Sequence, residues 1–394
     1  MVQSNSPLNG LRLIVAPFHL PWEWSADYAN QTCYVLAKKD VVIAYLWADT
    51  TTLKRSLVEK KLPTLLKKHS PNLYSYTPLY IFPFRRFAAI ERLNIITNLL
   101  VLKIIALILT LVRKPSEFLL WNFFPVPEFL KNPLGARYKV LYDCADFFPG
   151  TAKNATEKDL ILKNEKLLTK RADIVYANSM VLQKHLKKWR SKVILVPQGF
   201  RVQDFEKRSN YKSPKIKAKK PIIGFAGAVN HRIDYDILLP LAKNNPQWSF
   251  VIWGPVLDKE RVTPEIWKKM DKLLALKNVS TGFLQDRTKL PGIFKQFDIT
   301  MIPYDIKQEF NKYCYPMKLF EFFYLGKPVV STDVVELRRF PKFVKISQSL
   351  DGWQKILNKL TSGKWPKKFM AEERKLAYEN SWENKVAIIL SHIN

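Results

Sequence analysis

Cysteine is scarce in this chain. Only Cys33, Cys144 and Cys314 occur in 394 residues. They are far apart and lack paired spacing, which argues against a disulfide-stapled scaffold, offers no zinc-type pair and fits a reducing compartment. Acidic residues are also few, 34 against 64 lysines and arginines, for a net charge of +30. Such a field attracts polyanions: nucleic acid, anionic lipid or a phosphorylated substrate. The chain lacks aromatics interleaved along a basic stripe, which counts against nucleic acid as the partner. Its polar opening, MVQSNSPLNG, lacks the charged-then-apolar order of a secretory signal, so a cytoplasmic location is expected. Gly224 and Gly227 have no third glycine to complete a dinucleotide fingerprint.

The chain is long enough for two domains, each with its own core. Short apolar runs alternate with helical stretches: LRLIVA (11–16), VVIAYLW (41–47), EFLLW (117–121), YKVLY (138–142), ADIVYANS (172–179), WSFVIW (248–253) and DITMIPY (298–304). That alternation predicts doubly wound parallel sheets. The polar, basic stretch 206–220, EKRSNYKSPKIKAKK, reads as a linker. Two segments suggest a membrane. Residues 53–68 alternate leucines with paired bases, Lys54-Arg55, Lys60-Lys61 and Lys67-Lys68, as would a helix lying on an anionic surface or a solvated charged helix. Leu93 to Val112 is long enough to span a bilayer but is interrupted by Asn94, Asn98 and Lys103 and flanked by bases at both ends. It is read first as a helix buried in an α/β domain, with interfacial insertion and spanning as alternatives.

Chemistry concentrates in YPMKLFEFFYLGKPVV (315–330). Pro316 suits a first helical turn and Gly326 the left-handed residue that ends one, predicting a helix of about ten residues. Lys318 and the helix amino end, with Pro316 and Met317, suit an anion. Glu321, one turn on, suits neighbouring hydroxyls. Gly227 would let a diphosphate approach the backbone, and Arg232 could supply a forked donor. YKVLYDCADFF (138–148) is expected to deliver Asp143 and Asp146 just past a strand's carboxyl end, where they either act on a substrate or cap the next helix. After the first strand come His19, Trp22, Glu23, Trp24 and Asp27. The tryptophans flanking an acid could stack on a sugar, or serve as core or membrane anchors.

The 315–330 stretch resembles the donor-binding helix of GT-B glycosyltransferases, in the large retaining family 4-like (group 1) branch that includes teichuronic-acid and polysaccharide transferases. The Tyr-Asp-x-x-Asp element at 142–146 and VPQGFRVQDF (196–205) resemble elements of the same branch. The resemblance departs at Tyr313, where relatives more often carry a glutamate, and at Ala228, where many carry an arginine. It implies a GT-B fold of two Rossmann-like domains facing a cleft. Residues 1–205 would form an acceptor-side domain, 206–220 a linker, 221–380 a nucleotide-sugar-binding domain, and 381–394 a helix packing back on the first domain. It also implies a nucleoside-diphosphate sugar as substrate, no separate cofactor or metal, and retention of anomeric configuration. Gly227, Arg232, Pro316, Met317, Lys318 and Glu321 would hold the donor, and Lys318 would also stabilise its leaving diphosphate. Asp143 and Asp146 would bind or deprotonate an acceptor, which His19, Trp22 and Glu23 would help to hold. The acceptor is expected to be lipid-linked or a glycan, at the anionic inner face of the cell membrane. An epimerase or hydrolase on the same fold, and a non-catalytic polyanion-binding protein, are the competing readings.

Overall fold

The computed structural model describes residues 10–22, 28–59, 64–206, 213–283 and 289–393. The chain divides into two compact units. One comprises Met1–Asn178, Leu182–Val196 and Val386–Asn394, the other Ser179–Val181 and Pro197–Lys385. Residues 197–206 cluster with the second unit because Phe200, Val202 and Phe205 enter its core, where Phe200 and Phe205 pack against Tyr324 at 5.8 and 5.4 Å.

The first unit contains strands β1 (Arg12–Pro17), β2 (Val41–Tyr45), β3 (Thr51–Thr52), β4 (Leu66–Ser70), β5 (Leu73–Tyr76), β6 (Leu79–Tyr80), β7 (Glu117–Asn122), β8 (Lys139–Cys144), β9 (Ile174–Ala177) and β10 (Ile194–Leu195). Eight of them form one sheet in the order β10-β9-β8-β7-β1-β2-β5-β4, while β3 pairs with β6. All pairs in the large sheet are parallel except β4 with β5. β1 and β2 are buried at every position, as a parallel sheet covered on both faces requires. The second unit adds β11 (Ile222–Ala226), β12 (Ser249–Trp253), β13 (Val279–Gly282), β14 (Ile299–Ile302), β15 (Val329–Ser331) and β16 (Val344–Ile346). Its six-stranded sheet runs β13-β12-β11-β14-β15-β16 and is parallel throughout. Numbered from the first strand of each unit, both sheets wind outward one way and then resume on the other side. In the second this is the Rossmann order 3-2-1-4-5-6. The winding reverses between β1 and β7 in one unit and between β11 and β14 in the other, and the carboxyl edge at such a reversal is where sheets of this kind take their ligands.

Two membrane-related expectations need correction. The basic stretch 53–68 is not one helix: it forms a helix over Leu53–Val58, and Lys67 and Lys68 stand in β4, at the edge of the large sheet. Lysines on an edge strand discourage pairing with another chain, which accounts for them without a lipid. Lys60 and Lys61 lie outside the described residues. The apolar segment 93–112 belongs to one helix, Ala88–Arg113, but is not buried, because it covers the sheet with only one face, through Asn94, Asn98, Leu102 and Ala106.

In the second unit, the helix Lys367–Glu379 packs against the helix Lys318–Tyr324. Arg374 Nε donates to the Tyr324 carbonyl at 3.1 Å. Glu373 is fully buried there. One of its carboxyl oxygens accepts from Trp365 Nε1 at 3.0 Å and the other has no partner among the described residues. Burial pushes its pKa up to about 8. The folded chain therefore holds this proton through a range in which the unfolded chain, ionising near 4.5, has released it. Its contribution to stability is lost as pH rises from about 4.5 to about 8, by on the order of 5 kcal/mol in total. Glu373→Gln should flatten the melting temperature across that window, measured by thermal unfolding against pH; an unchanged slope would refute the assignment.

Candidate active site

In the second unit, the six sequence-predicted donor residues lie on two segments, the loop after β11 and the stretch 316–321. Gly227 directly follows β11, and Lys318 opens the helix Lys318–Tyr324 that precedes β15. A β-carbon at Gly227 would lie 2.8 Å from Lys318 Nζ, and the φ of +150° at this residue is one that side chains rarely adopt. Lys318 Nζ donates to Tyr304 Oη at 2.8 Å and stands 4.4 Å from the Phe225 ring centroid and 5.0 Å from that of Tyr304. Tyr304 comes two residues after β14. The same tyrosine carries the Arg232 guanidinium, whose carbon is 4.5 Å from its ring and 4.7 Å from that of Phe310. Arg232 Nε donates to Asn311 Oδ1 at 2.7 Å, and Asn311 Nδ2 donates back to the Arg232 carbonyl at 3.0 Å. Two cations are thus set on one tyrosine at the carboxyl edge, each over a second aromatic ring that lowers the cost of desolvating it.

The helix is shorter than predicted. It begins at Lys318, after a buried Pro316 and a half-buried, helically disposed Met317, and Gly326 beyond it is left-handed at φ 64°. Its inward face is Leu319, Phe320, Phe322 and Phe323. Lys318 and Glu321, three apart, share the other face and are both half-buried.

The first unit has an aromatic site at its own reversal. His19, two residues beyond β1, stacks on Phe124, two beyond β7, with centroids 4.7 Å apart and planes at 14°. Phe148 meets its edge at 5.0 Å. Burial lowers the His19 pKa to about 4, so the ring is neutral at ordinary pH, and its Nδ1 has no hydrogen-bond partner among the described residues. Trp22 is not an exposed platform: it is half-buried against Phe18, Tyr34 and His69, at 5.2, 5.9 and 4.6 Å. Its backbone N–H donates to Asp49 and its carbonyl accepts from Asn30. Glu23, Trp24 and Asp27 lie outside the described residues.

Asp143 also departs from expectation. It lies within β8 instead of beyond it, fully buried, and accepts from Tyr28 Oη at 2.7 Å and Trp121 Nε1 at 3.2 Å. Both carboxylate oxygens are engaged, so it acts as an internal tie. Its neighbours Tyr142 and Cys144 face the other way, as alternation along a strand requires, and donate to the buried Glu165 at 2.9 and 3.7 Å. His185 completes that network at 2.8 Å from Glu165. Asp146 does stand past the strand end, half-buried. Sequence reasoning missed Tyr304, Phe225, Phe310 and Asn311 in one unit and Phe124, Phe148 and Tyr28 in the other. Tyr304 had a visible signal, since it ends an apolar strand run.

No family model matches the chain. Over 237 residues it is 27% identical to the teichuronic acid biosynthesis glycosyltransferase TuaH of Bacillus subtilis (strain 168), and the match spans 57% of each chain, little more than half of that relative. Among solved structures, sucrose-phosphate synthase from Thermosynechococcus elongatus aligns with a TM-score of 0.71 at 15% identity, over 97% of this chain and 98% of that one. The chain has the GT-B fold. An E. coli trehalose-6-phosphate protein bound with UDP-2-fluoro glucose, another similar structure, aligns at TM-score 0.65 and 11% identity over 97% and 98% of the two chains. The motif resemblance to GT-B glycosyltransferases of the teichuronic-acid branch thus agrees with both comparisons.

Gly227→Ala should destabilise the second unit by about 1–3 kcal/mol through backbone strain and displacement of the lysine ammonium. Combined with Lys318→Ala it should cost less than the sum of the two single changes, because the contact is shared. Thermal unfolding of the three variants checks this. Strict additivity would mean the two residues do not touch.

Proposed function

We propose that the protein is a glycosyltransferase that moves a sugar from a nucleoside-diphosphate donor to a lipid-linked or polysaccharide acceptor, with retention at the anomeric carbon. The observation that carries this reading is the convergence of Lys318 and Arg232 on Tyr304, with Gly227 against the Lys318 ammonium, at the winding reversal of a Rossmann-type sheet. Cleavage of the donor's anomeric bond leaves negative charge on a diphosphate and oxocarbenium character on the sugar. Cations fixed before the reaction stabilise that charge without reorganising, which is where most of the rate gain of such a site arises. Lys318 and Arg232 are the cations, and the missing side chain at Gly227 lets the diphosphate approach the backbone. Pro316 and Met317 lead the chain into the anion-facing end of the helix, and Glu321 accepts from the ribose hydroxyls.

His19 and Asp146 are assigned to the acceptor, with Trp22 packed nearby in the chain against Phe18, Tyr34 and His69. A neutral imidazole whose Nδ1 has no partner among the described residues can accept a proton or a hydrogen bond, whereas Asp143, already engaged by Tyr28 and Trp121, cannot reach a substrate. The teichuronic-acid activity named for the relative and the UDP-sugar bound to a structural neighbour both support a sugar-nucleotide donor and a cell-envelope polymer. The chain's charge excess supports work at the anionic cytoplasmic face of the membrane as a peripheral protein.

Glu321→Ala should weaken binding of the preferred nucleoside diphosphate by about 1.5–3 kcal/mol in calorimetry, the loss expected for hydrogen bonds to a charged group. Unchanged affinity would remove the donor assignment. Thermal-shift screening with UDP, GDP, ADP and TDP sugars identifies the nucleotide to use. Rapid donor consumption with no acceptor present would instead favour an epimerase or hydrolase.

A further inference from the structure

The helix Ala88–Arg113 is 26 residues long, about 39 Å at 1.5 Å per residue. Its inner face is tied to the sheet along its length. Asn98 accepts from the Leu79 N–H at 2.9 Å and from Tyr76 Oη at 2.8 Å, and donates to the Leu79 carbonyl at 2.9 Å. Asn94 clasps both backbone groups of Phe82, at 2.9 and 3.0 Å. Near the other end Arg113 donates to Asn72. Leu93, Ile96, Leu100, Ile104, Leu107 and Leu111 recur every three or four residues on the opposite face, and each is between 41% and 67% exposed. The row continues into the loop before the helix through Phe84, 67% exposed, and Phe87, 53% exposed. A monomeric soluble domain rarely leaves so long an apolar row uncovered.

Cations border this row. Arg85, Arg86, Arg92, Lys103 and Lys114 are exposed and Arg113 is half-buried, while the sole acid between residues 81 and 114, Glu91, is paired with Arg85 at 2.8 Å. We propose that this face is the protein's membrane-docking surface. The helix lies in the plane of an anionic bilayer, with its leucine and isoleucine row at the headgroup–acyl boundary and its arginines and lysines on lipid phosphates. Spanning is disfavoured because it would break the paired backbone hydrogen bonds of Asn94 and Asn98, leaving those groups unpaired in hydrocarbon. A second copy of the chain is the poorer occupant, since a two-fold contact would bring two like-charged borders together. The proposal rests on the membrane-peripheral reading above and is independent of the donor assignment.

The test is flotation of the full chain with phosphatidylglycerol-containing vesicles against pure phosphatidylcholine, at low and high salt. The wild type should float with the anionic vesicles and release in salt. The double variant Leu100→Glu, Leu107→Glu should bind at least about tenfold more weakly, with its melting temperature unchanged because both positions are exposed. Ile104→Trp, which adds no charge and should fold normally, should show blue-shifted emission on binding and quenching by brominated acyl chains. Binding of the glutamate variant equal to wild type, or no quenching of Trp emission in a floating protein, overturns this docking face while leaving membrane attachment standing. Failure of the wild type to float overturns the peripheral reading too. Resistance to alkaline carbonate extraction overturns the in-plane arrangement in favour of a span. A lipid-free dimer that the glutamate pair dissociates overturns it in favour of self-association.

Discussion

The ammonium of Lys318 occupies the space that a side chain at position 227 would need. The arrangement of the second unit's upper edge depends on that exclusion. The residue that follows β11 must lack a β-carbon, so that the loop it opens and the helix before β15 can close on the same tyrosine. Tyr304 can take part because β11 and β14 are neighbours, the pair at which the winding changes direction. An ammonium half-withdrawn from water is costly unless compensated; here a phenol oxygen and the faces of Phe225 and Tyr304 supply part of the compensation. What remains of its demand is a demand for an anion.

The first unit repeats the topology with different chemistry. Its reversal, between β1 and β7, carries a neutral histidine among phenylalanines instead of paired cations. β8 shows how the unit fixes its edge. Alternate side chains send Asp143 to Tyr28 and Trp121 on one face, and Tyr142 and Cys144 to Glu165 on the other. Buried carboxylates so fully engaged are expensive to disrupt, which makes the strand a rigid support for the half-buried Asp146 that follows it.

How much of this could be read from the sequence varied with the range of the interaction. Strand runs such as VVIAY were legible, because each is decided by neighbours a few residues away, whereas the helix after Pro316 starts two residues later than its proline suggested. The left-handed turn at Gly326 was legible for the same reason. Asp143 was misplaced by one strand position, because a carboxylate at the end of an apolar run looks the same whether it faces a ligand or a buried tyrosine 115 positions earlier. Of the aromatic seats of Lys318 and Arg232 only Tyr304 left a trace, at the end of an apolar strand run; Phe225 and Phe310 read as ordinary core aromatics until the sheet order brings them beside a cation. The helix at 88–113 was misread as buried because composition reports how apolar a helix is, not how much of it the sheet can cover. One face of the sheet's width covers one stripe.

That helix also sets a direction. It follows β6 and leads back to β7, so it must run from the carboxyl edge of the sheet, where β5 ends, toward the edge where β7 begins. The phenylalanines and arginines of residues 82–87 therefore sit toward the same rim as His19. The amino end of the exposed leucine and isoleucine row and the His19 imidazole thus share one edge of the first unit's sheet.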